Sequence, residues 1–323
     1  MSDSYFLGVD IGNSKSHALV ADQSGRIRGT GTAGAGSWEA IGWQGARQVM
    51  HALTSQALDQ AGIAPRQVTA AGFGLAGYDW PEDRPPYVDI IRSLGLGGPF
   101  ELVNDAMLGL WIGAAAGWGV CISAGTSCNC YGRNQHGRIG RVTGHDGWFA
   151  EYGGANEIVA RALQAIGLEW TRRGPATRLS DAFVARCGAA DVLDLLAGLV
   201  RNRYRLGPAN APLVFQVAAQ GDAVAQEILR WAGQQLGDLA IGVIRQLDIA
   251  ALAFDVVLAG SVYDHNEALV ALTAQTIHEV APGARMVPLQ APPVLGGVIL
   301  AMEQLGLPTG AARERLLGEA LKL

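Results

Sequence analysis

Positive charge is scarce in this chain. Among 323 residues there are 24 Lys or Arg against 29 Asp or Glu, for a formal net charge of -5 and a pI near 5.7, and no basic cluster stands out. Nucleic-acid surfaces need concentrated positive charge, so DNA and RNA are excluded as partners. Four cysteines are too few for a disulfide framework in a chain of this length. No apolar run reaches the roughly 18 residues of a membrane span, so no membrane partner is expected. The opening "MSDSYFLGVD" has no basic segment ahead of an apolar one and leads straight into a strand. That excludes a signal peptide and makes the cytoplasm the expected compartment. In surplus are hydrophobic residues, at 49%, and glycine, at 44 residues. The chain reads as a loop-rich globule long enough for two domains.

Strand patterns come first: "YFLGVDIG", "SHALVAD" and "RIRGTGTA", separated by turn residues. A helix is predicted over 43–61, a strand over 68–77, a loop at "DWPEDRPP" and a short helix at "YVDIIRSLG". "FELVND" reads as a strand and "AMLGLWIGAAAG" as a helix, so the first third is βββαβαβα. Residues 117–133 repeat the strand–turn–strand pattern, and "GRIGRV" adds a third strand. The clearest helix lies at 222–248, with one apolar face. "FDVVLAGSVYD" is a buried strand ending in a glycine turn, and "PPVLGGVILAMEQLG" puts Gly-Gly at a helix start. The most loop-like stretch is 171–181.

Three small-residue turns follow apolar strands: Gly12, Asn13, Ser14 and Lys15; Gly125, Thr126 and Ser127; and Gly260 with Ser261. Singly, each is ordinary turn chemistry. Together, their exposed backbone N–H groups are candidate anion nests, Lys15 adds a charge for phosphate, and Asp10 at its strand end is a candidate Mg²⁺ ligand. Neither the glycine-lysine phosphate loop nor GxGxxG is present.

In this order the motifs resemble those of the sugar-kinase, Hsp70 and actin superfamily, and within it the N-acetylglucosamine kinase-like members of the BadF/BadG/BcrA/BcrD-type ATPase family. "GVDIGNSKSHALV" looks like the first phosphate motif, "AGTSCNC" like the second and "VVLAGSVYDHNEALV" like the adenosine motif. "GFGLAGYD", "LVNDA" and "PVLGGVILA" extend the likeness over nearly the whole chain. The resemblance implies an α/β, two-domain actin-like ATPase (ribonuclease H-like) fold with an interdomain cleft. The first domain would span 1–115, completed by a C-terminal helix over about 297–323, and the second 116–296. It implies ATP and Mg²⁺, a small-molecule sugar substrate and phosphoryl transfer to a hydroxyl at C6, and it leaves a homodimer open.

A kinase of this kind needs one carboxylate as base, and the resemblance puts it at Asp105. Spacing alone favours a helix N-cap there. The sugar would meet Ser37, Trp38, Asp105, Gly144, His145, Asp146 and Glu151. The family usually shows "GWG" and "DEGS" where this chain has "GHD" and "EYGG", so Glu151 stands at the position of a sugar-binding aspartate and Ser37 at that of an asparagine. Cys121, Cys128 and Cys130 cluster near His136, but their spacing suits buried thiols better than zinc. Two other functions fit the family: an ATPase activator of a dehydratase, with an iron–sulfur cluster between subunits, and a sugar or nucleotide sensor.

Overall fold

The computed structural model describes residues 4–264 and 266–320, with the backbone only at Asp146. It opens with β1 (Tyr5–Ile11), β2 (Ser16–Asp22) and β3 (Ile27–Ala33), followed by α1 (Trp38–Ala61), β4 (Val68–Leu75), α2 (Arg84–Ser93), β5 (Phe100–Val103) and α3 (Asp105–Gly113). This is the predicted βββαβαβα. Two boundaries differ: α1 starts at Trp38 and not at 43, and Arg84, Pro85 and Pro86 form the first turn of α2 instead of a loop. Proline is tolerated there because first-turn N–H groups have no intrahelical partner. Helix α1 contains a break at Gly42, at φ 70 and ψ 165, a conformation open in practice only to glycine.

Next come β6 (Gly119–Ala124), β7 (Cys128–Arg133), β8 (Ile139–Arg141), α4 (Ala155–Trp170), α5 (Leu179–Cys187), α6 (Val192–Val200), α7 (Ala211–Ala219), α8 (Ala223–Leu247), β9 (Phe254–Ala259), α9 (Glu267–His278) and β10 (Ala284–Pro288); α10 (Val294–Glu303) and α11 (Gly310–Ala320) close the chain. Among the described residues the strands form two five-stranded sheets, ordered β3-β2-β1-β4-β5 and β10-β9-β6-β7-β8. Read from its other edge, the second sheet repeats the order of the first.

Two compact units result. One runs up to Cys121, with 135–137 and the chain from Leu289; the other comprises 122–134 and 138–288. The single C-terminal helix expected over about 297–323 is two, α10 and α11, parted by a turn at 304–309, and the first unit already resumes at Leu289 because α10 begins at Val294 and lies on the first sheet. A Cβ on Gly8 would fall 2.5 Å from Val294 O, and one on Gly72 would fall 2.2 Å from Gly297 O. Helix and strands therefore meet backbone to backbone. In β1, Leu7, Val9 and Ile11 point the other way, into a core shared with Met50, Leu53, Phe73, Leu75 and Tyr87. At the end of the chain, Arg313 of α11 donates to the carbonyls of Ile112 (2.9 Å) and Gly113 (3.0 Å), the unpaired end of α3.

In the second unit α8 is the central helix. Asp222 caps it, accepting from Ala225 N–H at 2.9 Å and from Thr177 Oγ1 at 3.0 Å, and so pins the 171–181 loop. Gly233 and Gly237, one turn apart on α8, let α9 come within close contact at Leu272 and Thr276.

Candidate active site

Parallel pairing of β1 with β4 and of β4 with β5 aligns the carboxyl ends of three strands on one edge of the first sheet. That edge is where open α/β sheets bind ligands. Asp10, the penultimate residue of β1, pairs with Gly74 of β4, and a Cβ on Gly74 would lie 3.2 Å from Asp105 Cα. The missing side chain thus lets the start of α3 approach Asp10. Both acids are half-buried. Burial, reinforced by the Asp79 carboxylate, holds the Asp105 proton up to about 7. Burial also raises Asp10, to about 8, with the charge of Asp105 adding to it and Lys15 opposing it.

The capping role expected of Asp105 belongs to its neighbour. Asn104 Oδ1 accepts from Ala106 N–H at 3.0 Å in extended geometry, while Asp105 is the first helical residue and accepts from the same N–H. Asn104 Nδ2 also donates to Asp79 Oδ1 at 3.0 Å, and Asp83 Oδ2 accepts from the N–H groups of Asp79 and Trp80. Asn104 and Asp79 were not singled out from the sequence. The signal for Asn104 was an Asx residue just before a helix; Asp79 carried none, because only folding brings it to Asp105.

A carboxylate raised by burial and by a neighbouring acid at a sheet edge suits a hard divalent cation, whose charge would favour the ionised form. Asp10, raised by burial and by the charge of Asp105, therefore fits Mg²⁺. The adjoining turn leaves Asn13, Ser14 and Lys15 exposed. A Cβ on Gly12 would sit 2.5 Å from Lys15 O, so only glycine closes this turn. Ser16 Oγ accepts the Gly12 N–H at 3.4 Å.

Ser37 is fully buried and caps α1, accepting from Glu39 N–H at 3.3 Å. Trp38 donates its indole N–H to Gly77 O at 2.7 Å and stacks on Trp43 with ring centroids 4.7 Å apart. Both residues lie beside the Gly77–Asp79 turn, so their present partners shape the wall around Asp79.

In the second unit, Gly125 closes β6 with open space where a Cβ would be. The carbonyls of Gly125 and Thr126 accept the N–H groups of Ala155 and Asn156, which seats the turn on the start of α4. Gly260 has φ 97, and its Cβ would fall 2.3 Å from Ala124 O. Val262 N–H donates to the same carbonyl at 3.1 Å, so the turns after β6 and β9 are joined. Glu151 is buried. Its carboxylate accepts from the N–H groups of Thr143 (2.6 Å), Gly144 (2.7 Å) and His145 (3.2 Å). Glu151 therefore holds the loop backbone in shape. The Asp146 side chain lies outside the described residues. Cys121, Cys128 and Cys130 are buried, and burial pushes the Cys121 thiol up to about 12.

This duplicated sheet order, with small-residue turns at the strand ends, is the actin-like ATPase fold. The fold is shared with a protein from Chromobacterium violaceum assigned as an N-acetylglucosamine kinase (TM-score 0.69, 24% identity, 93% of this chain and 99% of that one). It is shared also with a ROK family glucokinase from Streptomyces griseus solved with glucose and AMPPNP (TM-score 0.59, 21% identity, 93% and 100%). The chain belongs to the BadF/BadG/BcrA/BcrD ATPase family, whose model matches residues 7–301. A curated relative, the N-acetylmuramic acid/N-acetylglucosamine kinase of Clostridium acetobutylicum, is 25% identical over 93% of this chain and 99% of its own length. No described helix is long and apolar enough to cross a membrane.

Proposed function

We propose that this protein is an ATP-dependent kinase that phosphorylates a hydroxyl, at C6, of an N-acetylated amino sugar. The observation that carries the reading is the Asp105 carboxylate, half-buried at the edge of the first sheet with its proton held up to about 7 beside Asp10. A general base works best when its pKa lies near the working pH, and a sugar hydroxyl needs such a base as it attacks phosphorus. The kinase named for the Clostridium relative supports the same substrate class.

Each residue then has a task. Asp105 accepts the hydroxyl proton, and Asn104 fixes the start of α3 and holds Asp79 nearby. In the first unit the Gly12–Lys15 turn meets phosphate through backbone N–H groups, and Lys15 supplies a charge. In the second, Gly125, Thr126 and Ser127 meet phosphate, while Gly260 and Ser261 meet the adenosine. Bound Mg²⁺ would offset negative charge on the phosphates, and Asp10 would hold it. In the second unit Glu151 fixes the backbone of Gly144 and His145 for contact with the sugar; in the first, Ser37 and Trp38 act from behind by holding the turn that carries Asp79.

The test is ADP release with ATP, Mg²⁺ and a panel of N-acetylglucosamine, N-acetylmuramic acid, N-acetylmannosamine, glucosamine, glucose and no sugar. Turnover that depends on an N-acetylated sugar is expected, with phosphate on C6 by NMR of the product. Equal ADP release in every well would make the protein an ATPase and end the kinase reading.

A further inference from the structure

The loop over 143–152, which meets the sugar in the reading above, contains one short 3₁₀ turn, Asp146–Phe149. Residues 147–150 are exposed, and Ala150 sits in the left-handed region at φ 59. A residue other than glycine keeps that conformation only where its surroundings hold it, and a single 3₁₀ turn has poor hydrogen-bond geometry of its own. Glu151 fixes Thr143, Gly144 and His145 on one side of the turn. The other side is held by a stack of side chains that reaches back to two helices.

Tyr152 begins the stack. A Cβ on Gly147 would lie 3.2 Å from Tyr152 Cε1, so the ring packs against the backbone of the turn. Its hydroxyl donates to Gly147 O at 3.4 Å, long for such a bond, so the ring carries more of the support than the hydroxyl. Trp231 of α8 comes next, its ring centroid 6.0 Å from that of Tyr152 and the planes inclined by 44°, within the range of a favourable aromatic pair. The guanidinium of Arg161, on α4, lies 3.8 Å from the centroid of the same indole, a cation–π contact. Within the loop, Phe149 meets the His145 ring near edge to face, 6.4 Å between centroids. The stack thus ties α4 and α8, the longest helices of the second unit, through the turn to His145. We propose that Arg161, Trp231 and Tyr152 are positioning residues for the sugar: they fix where His145 stands before the sugar arrives, without touching it. A loop already ordered loses less freedom on binding, so the benefit falls on sugar affinity. The proposal rests on the sugar-kinase reading.

Steady-state kinetics on the full chain, paired with hydrogen exchange over 145–149, test this. Tyr152→Ala should raise the sugar KM about tenfold, leave kcat within about twofold and the KM for ATP unchanged, and quicken exchange at 145–149. Tyr152→Phe, which loses only the long hydroxyl contact, should raise the sugar KM no more than about twofold. Trp231→Ala should match Tyr152→Ala, and Trp231→Phe, which keeps a ring for Tyr152, should recover most of the loss. Tyr152→Ala combined with Trp231→Ala should raise KM little beyond either alone, because members of one stack are not additive. Should Trp231→Ala fail to fold, the surface variant Arg161→Gln decides beside Tyr152→Ala, with an expected rise of about threefold. A Tyr152→Ala enzyme with unchanged sugar KM, an effect on kcat alone, or a double variant whose losses simply multiply would overturn the proposal. Unchanged exchange at 145–149 in Tyr152→Ala would do so without reference to turnover. A wild type that releases ADP equally with and without sugar would instead end the kinase reading first, and this proposal with it.

Discussion

Ionising Asp105 costs free energy in the folded protein, because burial and the Asp79 carboxylate raise its pKa from 3.8 to about 7. Between these values the folded state keeps a proton that the unfolded chain has released, so stability falls as pH rises from about 4 to 7. Below that window the contribution is fully present; above it, the contribution is gone. The base function runs the other way, since only the ionised form accepts a proton, and kcat/KM should rise through pH 7. Asp105→Asn separates the two. Turnover should fall about 10²–10⁴-fold. Urea denaturation should show the variant gaining on wild type, by roughly 1–3 kcal/mol, between pH 5 and pH 8. An equal wild type–variant difference at both pH values would remove the strain from the account. A second carboxylate acts only through the backbone. Glu151→Gln places an amide N–H₂ where one oxygen now accepts from N–H groups, leaving at least one buried donor unpaired at about 1–3 kcal/mol. Hydrogen exchange at 143–145 should quicken, and KM for the sugar should rise more than kcat falls. A change confined to kcat would instead place Glu151 in the chemistry.

At the scale of elements, two glycines beside the second unit's turns respond differently to one added methyl. Gly260→Ala forces a side chain into φ 97 and against Ala124 O, so it should destabilise the fold by at least about 1–3 kcal/mol. Gly125→Ala meets no neighbouring atom, so the melting temperature of the nucleotide-free protein should hold. The methyl would instead occupy the concavity offered to phosphate, and the Kd for ATP should rise about tenfold or more by calorimetry. Unchanged ATP affinity would take Gly125 out of the nest. These turns were legible in the sequence because each follows an unmistakable apolar strand. So were β1 to β5 and α8, whose periodicities are long and clean. Helices α5, α6, α7 and α9 and strand β10 were not. They are short, and α6 has a single polar residue, Asp194, so its few positions give little contrast between faces. For Asp105 the sequence offered either cap or base, and only Asn104's geometry assigned the cap elsewhere. Glu151's task was hidden too, because its partners are backbone N–H groups that have no letter in the sequence.

For the whole molecule, the repeated sheet order suggests two equivalent halves, yet the chain treats them unequally. Every strand and helix of the second unit lies between residues 117 and 288. The first unit needs α10, laid glycine against glycine on Gly8 and Gly72, and α11, whose Arg313 satisfies the end of α3. Residues 1–121 alone would expose one face of β1 and β4 along with the unpaired α3 carbonyls, and an uncovered apolar face of this size favours aggregation over folding. A fragment spanning 117–288, which retains all of β6, has its core helix, its cap at Asp222 and its complete sheet. That fragment should unfold cooperatively in urea with a near-ultraviolet circular dichroism signal. Residues 1–121 should show no cooperative transition until supplied with 289–323, as a separate peptide or joined by a short linker in a permuted chain. Independent folding of 1–121 would mean that α10 decorates the first sheet and does not complete it. The backbone contacts at Gly8 and Gly72, where even a methyl group would not fit, argue that it completes it.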